Sequence, residues 1–224
     1  LLLRDRLGVL PVGSALGFGV GPLLLAARPG THPRDPVPAA GGRSRPARVL
    51  CPGAHTTATL LYELFHAGEG ALEQVVFSDI MPALESGDAD FGVCIHEGRF
   101  TWRAHGLALV EDLGSVWEEA TGAPLPLGGI LARHALGADT IDTATAVIRD
   151  SLAHGRRHRE ETVPTMRRYA QELSDDVMFQ HVDLYVNDWT TDLGDTGRTA
   201  LETLDRRARR AGVSSAGAPP LRVY

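Results

Sequence analysis

Three short stretches carry side chains whose types and spacing could do chemistry. His96 opens the polar turn His96-Glu97-Gly98-Arg99, directly after the apolar run FGVCI. An imidazole at the end of a buried strand titrates near neutrality and can take a proton from a bound molecule as a general base. A lone histidine beside an apolar run is as often structural, and the residues alone leave the two roles balanced, with Glu97 and Arg99 either orienting the ring or facing water. Pro52-Gly53-Ala54-His55-Thr56-Thr57 stands between an apolar run and an amphipathic one, so the free N–H groups of a first helical turn and two hydroxyls converge on one point. Such a point attracts carboxylates, although Thr56 or Thr57 could equally serve only as an N-cap. Val12-Gly13-Ser14, followed by Gly17, Gly19 and Gly21, offers backbone N–H groups and one hydroxyl for a polar ligand group. Its GxGxG spacing lacks the full dinucleotide fingerprint, no helical pattern follows it, and a plain tight turn is the competing reading.

Weaker groupings fall away on charge or geometry. His154 and His158 have the i, i+4 spacing of metal ligands, but Arg156, Arg157 and Arg159 surround them with positive charge. Cys94 and His96 would lie side by side on a strand with no third group to orient them. Arg206, Arg207, Arg209 and Arg210 fall in the last turns of an expected helix, where they complement its dipole and stay solvated. All 22 basic residues are Arg, so Schiff-base and P-loop lysine chemistry is excluded. The net charge of -6 supplies no basic stripe for a nucleic acid, and none is expected as a partner. Cys51 and Cys94 lie in apolar runs and read as buried, reduced thiols.

The elements that must position these residues follow from the hydrophobic pattern. Uncharged residues 7–27 superficially match a membrane span, but Gly8, Gly13, Gly17, Gly19, Gly21, Pro11 and Pro22 break it every few residues, so short strands joined by turns are expected and membrane insertion is not. Residues 28–48, with five prolines, read as a linker or insertion. Beyond it come a strand at ARVLC, a helix at TTATLLYELFHAG with Leu60, Leu61, Leu64 and Phe65 inward, a strand at EQVVF, a helix at DIMPALES and a strand at FGVCI. That alternation implies a parallel α/β layer. It continues with a strand at LALV, a helix across SVWEEATG and a strand at LGGILAR. Helices are then expected over 139–155 with Asp139 or Thr140 as N-cap, over about 160–172, from Ser174, and over about 199–211 before Gly212.

Several long stretches in collinear order carry a resemblance: GSALGFGVGPLLLA, CPGAHTTATLL, FSDIMPALESGDADFGVCIHEGRFTW, LVEDLGSVWEEATGAPLPLGGILAR and AQELSDD with HVDLYVN and DLGDTG. Together they are similar to the 1,4-dihydroxy-6-naphthoate synthases, the cyclic dehypoxanthinyl futalosine lyases of the futalosine route to menaquinone. The resemblance implies an α/β fold of the type II periplasmic-binding-protein kind, two lobes with a ligand cleft between them. Residues 1–47 would be part of lobe one, with the Pro-rich insertion at 28–48; 48–128 would form lobe two and 129–224 return to lobe one. It further implies that His96 is the catalytic base, that Val12, Gly13 and Ser14 form one substrate-binding turn, and that Thr57 and Ala58 belong to a second; the helix start at Thr56-Thr57 is in addition expected to anchor the substrate carboxylate. The expected enzyme is a cytoplasmic carbon–carbon lyase acting on a small carboxylate, without metal or organic cofactor. A solute-binding protein of the same architecture, trapping its ligand without chemistry, is the alternative. The family begins with a further strand and helix carrying a Ser-Pro-Cys-Pro-Asn-Asp-like turn that LLLRDRLGVL does not match, so a part of lobe one is expected to be missing, which leaves the activity of such a chain open.

Overall fold

A computed structural model describes residues 1–95, 98–169, 174–215 and 217–224. The chain separates into two units, Leu1–Val20 with Ala123–Tyr224, and Gly21–Gly122.

The first unit begins with two short strands, β1 (Leu7–Val9) and β2 (Ala15–Gly17), cut apart by Pro11 and Gly13. The chain then enters the second unit, whose elements are β3 (Leu23–Ala26), the pair β4 (Val37–Pro38) and β5 (Ser44–Arg45), β6 (Arg48–Cys51), α1 (Thr57–Phe65), β7 (Ala71–Gln74), α2 (Phe77–Ser86), β8 (Phe91–Cys94), α3 (Gly98–Thr101), β9 (Ala108–Asp112) and α4 (Leu113–Thr121). Five of the strands form one sheet in the order β7-β6-β8-β3-β9. The expected parallel layer exists in β7, β6 and β8, whereas β3 runs antiparallel to both β8 and β9. This corrects the expectation that Leu23–Ala26 belongs with the first lobe. All four of its residues are buried, and a strand covered on both faces has no alternation to reveal which sheet it joins.

Helix α2 packs on this sheet through Ile80 and Leu84, and a Cβ at Gly92 of β8 would lie 2.3 Å from Ile80 Cγ2, so glycine there allows the close approach. Leu25, Leu50, Cys94 and Trp102 complete the core around them. On α1 the buried residues are Ala58 to Tyr62, while Leu64 and Phe65 are only half-buried; Tyr62, not Phe65, faces inward. The strand expected at EQVVF ends at Gln74, because Val76 caps α2 and Phe77 is its first residue. Nor is 28–48 an open linker: β4 and β5 form an antiparallel hairpin, and Arg45 donates to both oxygens of Asp90 at 2.6 and 3.2 Å while the Arg48 N–H donates to the same carboxylate at 2.7 Å.

Returning to the first unit, β10 (Leu125–Gly128) pairs with β2 and β11 (Leu131–Arg133) pairs with β1, both antiparallel. The single strand expected at LGGILAR is two, because Gly129-Ile130 breaks it. Five helices follow: α5 (Ala138–Arg157), α6 (Arg159–Tyr169), α7 (Asp175–Tyr185), α8 (Asp188–Thr191) and α9 (Gly194–Arg210). Gly137, not Asp139 or Thr140, is the N-cap residue of α5, and α9 starts five residues before the expected Thr199. The end expected near Glu172 lies outside the described residues. The brief α8 carries a capping box, with Asn187 Oδ1 accepting from Trp189 N–H and Thr190 Oγ1 from Asn187 N–H, both at 3.0 Å. Val9, Leu16, Leu193 and Ala200 form one cluster of this unit's core, and Leu10, Val12, Ala132 and Ile141 another. Among the described residues, no helix is long and apolar enough to cross a membrane.

Candidate functional site

In the first unit the turn Val12-Gly13-Ser14 follows β1. Gly13 sits at φ +80, and a Cβ there would lie 2.4 Å from Ile130 Cδ1, so both the backbone and the space require glycine. Its N–H donates to the Thr190 carbonyl at 2.7 Å, which joins the turn to α8. Val12 is fully buried, and Ser14 is 1% exposed. Ser14 Oγ has no hydrogen-bond partner among the described residues. An isolated buried hydroxyl costs about 1–3 kcal/mol, so it marks a place that a polar group of a ligand can complete. A Cβ at Gly129 would stand 3.2 Å from Ser14 Oγ, a tighter fit than the glycine gives.

In the second unit, the turn between β6 and α1 is braced by its own hydrogen bonds. Thr56 is the N-cap: its Oγ1 donates to the Gly53 carbonyl at 2.8 Å and accepts from Thr59 N–H at 3.2 Å. Thr59 Oγ1 also donates to Gly53 O at 2.8 Å, and Gly53 N–H donates to Gln74 Oε1 at 3.0 Å. The capping role therefore belongs to Thr56. Thr57 and Ala58 form the first helical turn, where the positive end of the helix dipole lies.

His96 and Glu97 lie outside the described residues. Their neighbours are well tied. All four residues of β8 are buried, and Gly98 N–H donates to the Ile95 carbonyl at 3.1 Å. Strands β6 and β8 are adjacent and parallel, so Pro52-Gly53 and Ile95 leave the sheet at the same end. Open α/β sheets bind ligands at the carboxyl ends of such strands. Arg99 neither faces water nor stands alone: its guanidinium donates to Gly21 O at 3.1 Å and to Asp112 Oδ2 at 2.6 Å. Asp112 in turn caps α4, its Oδ1 accepting from Gly114 and Ser115 N–H at 3.0 and 3.2 Å. The sequence reading does not single out Asp112, although an aspartate directly before the helical run LGSVWEEAT is an N-cap signal.

The cysteines take no part in nucleophilic chemistry. Both are buried and reduced, and burial pushes each thiol up to about 12. At neutral pH the reactive thiolate is then a vanishing fraction. His154 and His158 stack at 4.5 Å between ring centroids, with Glu161 3.5 and 3.2 Å away. One donor atom each of His32, His66 and Glu69 could share a metal ion, and these residues stand at the other end of α1 from Thr57.

A family profile described as "Menaquinone biosynthesis" matches residues 1–210. Over 220 residues the chain is 43% identical to the 1,4-dihydroxy-6-naphthoate synthase of Thermus thermophilus, covering 98% of this chain and 76% of that protein. It is 38% identical, over 96% of this chain and 74% of the relative, to the synthase of the same name from Streptomyces coelicolor. The crystal structure of protein AF1704 from Archaeoglobus fulgidus superposes with a TM-score of 0.83 at 28% identity, covering 94% of this chain and 75% of that one. A periplasmic sulfonate-binding protein from Methylobacillus flagellatus shares the fold at 14% identity, with a TM-score of 0.53 over 93% of this chain and 63% of its own. The mixed α/β fold is thus that of the periplasmic solute-binding proteins, and the chain belongs to the menaquinone-biosynthesis family that includes the 1,4-dihydroxy-6-naphthoate synthases.

Proposed function

We propose that this chain is the carbon–carbon lyase that converts cyclic dehypoxanthinyl futalosine to 1,4-dihydroxy-6-naphthoate, with His96 as the base that starts cleavage. The observation that supports the reading is the shared sheet end of β6 and β8: two neighbouring parallel strands bring the start of α1 and Ile95 to the edge where α/β proteins hold ligands, and His96 follows Ile95 in the sequence. Removal of one proton by His96 sets off cleavage of the ring derived from ribose, and a three-carbon fragment leaves. The aromatic product supplies much of the driving force. The protein has to provide a base, an anchor and exclusion of water, and the reaction as written calls for no cofactor.

The anchor is the first turn of α1. Its N–H groups and the Thr57 hydroxyl receive the substrate carboxylate, while Thr56 holds the turn through its cap. Thr57→Val is expected to weaken substrate binding about tenfold, the scale of one charge-assisted hydrogen bond, with a smaller change in kcat. Isothermal titration with the substrate checks this, and unchanged affinity removes the anchor role.

Val12, Gly13 and Ser14 are assigned to substrate contact on the first unit's own turn, and the Ser14 hydroxyl, unpartnered among the described residues, gives a distinct signature. Ser14→Ala should leave the free protein as stable as the wild type or up to about 1 kcal/mol more stable, since an unpaired buried group is removed. The same change should weaken substrate binding several-fold. Urea unfolding read beside the titration decides the matter: loss of stability without loss of affinity would show a hydroxyl that serves the fold.

Localisation in the cytoplasm fits a biosynthetic enzyme and is proposed with the activity. The solute-binding alternative rests on the fold alone. Incubation of the protein with cyclic dehypoxanthinyl futalosine separates the two, because turnover identifies the lyase and tight binding without product identifies a receptor.

A further inference from the structure

We propose that His32, His66 and Glu69 bind one divalent transition-metal ion of the zinc class, with Glu111 as the carboxylate behind His66. The site stands at the other end of α1 from Thr57. It joins the loop before β4 to the carboxyl end of α1, since His66 is the C-cap of that helix and His32 lies in the Pro-rich segment.

The donor set and its spacing point to the ion. One donor atom of each residue lies within 4.8 Å of the other two. His66 Nδ1 is 2.8 Å and His32 Nδ1 3.5 Å from the same Glu69 oxygen, Oε2. Ligands about 2.0–2.2 Å from a tetrahedral zinc ion stand roughly 3.3 Å apart, and the 2.8 and 3.5 Å separations about Glu69 Oε2 bracket that value. Two imidazoles and one carboxylate, with a water in the fourth position, form a known zinc ligand class. His32 and Glu69 have side chains 25% and 23% exposed, which leaves an entry path and room for that water. A backbone donor faces His32 Nδ1, but this Arg34 N–H is 3.4 Å away, a long contact that the ion replaces.

The surroundings of His66 strengthen the argument. Its side chain is 6% exposed, and its second nitrogen, Nε2, stands 2.8 Å from Glu111 Oε2. With Nε2 directed at Glu111, the other ring nitrogen, Nδ1, is directed at the Glu69 carboxylate 2.8 Å away, on the side where His32 also approaches. The converging His32 nitrogen supplies the third donor for a metal ion. A carboxylate behind a ligating histidine is the usual outer support of a metal site, fixing tautomer and ring direction. Tyr62 fixes them further: its ring stacks on His66 at 5.3 Å with an interplanar angle of 22°, and its hydroxyl donates to the Glu69 carbonyl at 2.7 Å.

The test is zinc binding by the whole chain, followed by competition with a chromophoric chelator. It is done in a His154→Ala/His158→Ala background, so that the exposed histidine pair contributes nothing. One equivalent of zinc should bind, with a rise in unfolding temperature that grows with zinc concentration. His32→Ala, a change at a partly exposed loop residue, should abolish the thermal shift. Glu111→Gln should weaken binding about 10–100-fold through His66 while leaving the stoichiometry at one. Cobalt in place of zinc should give the intense visible bands of a tetrahedral site, absent in His32→Ala. Failure to bind one equivalent, or binding unchanged by His32→Ala, overturns the proposal and leaves His66 as a hydrogen-bonded link between Glu69 and Glu111.

Discussion

Replacing His96 by alanine is expected to lower kcat for conversion of cyclic dehypoxanthinyl futalosine by about 10²–10⁴-fold, the usual contribution of a positioned general base. Substrate affinity should change little, because the proposed anchor belongs to the start of α1 and the orphan hydroxyl to Ser14. The fold around position 96 should survive the change. On one side β8 is buried along its whole length, and on the other Arg99 remains held by Gly21 O and Asp112. Loss of kcat without loss of binding therefore separates base removal from collapse of the site. A second measurement sharpens it: the wild-type pH profile of kcat should show an acid limb, where the base becomes protonated, and the variant should lack it. Retention of most of the wild-type kcat in His96→Ala would move the base elsewhere and remove the central step of the proposed mechanism.

Local signals make parts of this chain legible and leave others closed. The runs RVLC and FGVC announce buried strands through their apolar and small residues, and Thr56 and Gly13 announce a cap and a turn through chemistry confined to a few neighbours. The position of β3 cannot be read, since pairing with both β8 and β9 joins residues some 70 and 85 positions away and four consecutive buried side chains fit either sheet. Burial is equally non-local: the sequence offers Ser14 as a turn hydroxyl for a polar ligand group, and only the packed unit shows it enclosed and unpartnered among the described residues. His32 and His66 share no ligand-spacing motif and meet only because the Pro-rich segment folds back to the end of α1. The arginines of α9 show a related failure. Their sequence context implies full solvation, yet Arg209 donates to Asp205 and to the Ala218 and Pro219 carbonyls, an arrangement built by residues beyond the helix.

That last network predicts the largest effect on stability. Arg4 is 4% exposed, with its Nε donating to the Leu1 carbonyl at 2.7 Å and its guanidinium paired with Asp205, itself buried on α9. The second Asp205 oxygen accepts from Arg209 Nε at 3.0 Å. Asp205→Ala removes the carboxylate shared by two guanidiniums and leaves Arg4 charged in the interior, where Arg4 Nη2 already lacks a partner among the described residues. Breaking such a buried pair costs about 3–5 kcal/mol, much of it from the stranded charge and not from lost attraction. The urea midpoint should fall accordingly with the slope of the transition unchanged. Arg4→Met combined with Asp205→Leu tests that origin, because exchanging both charges for apolar side chains of similar volume should recover most of the loss. Were Asp205→Ala to cost less than about 1 kcal/mol, the value of a surface pair, water would have to reach Arg4 and the pair would not be the buried one described.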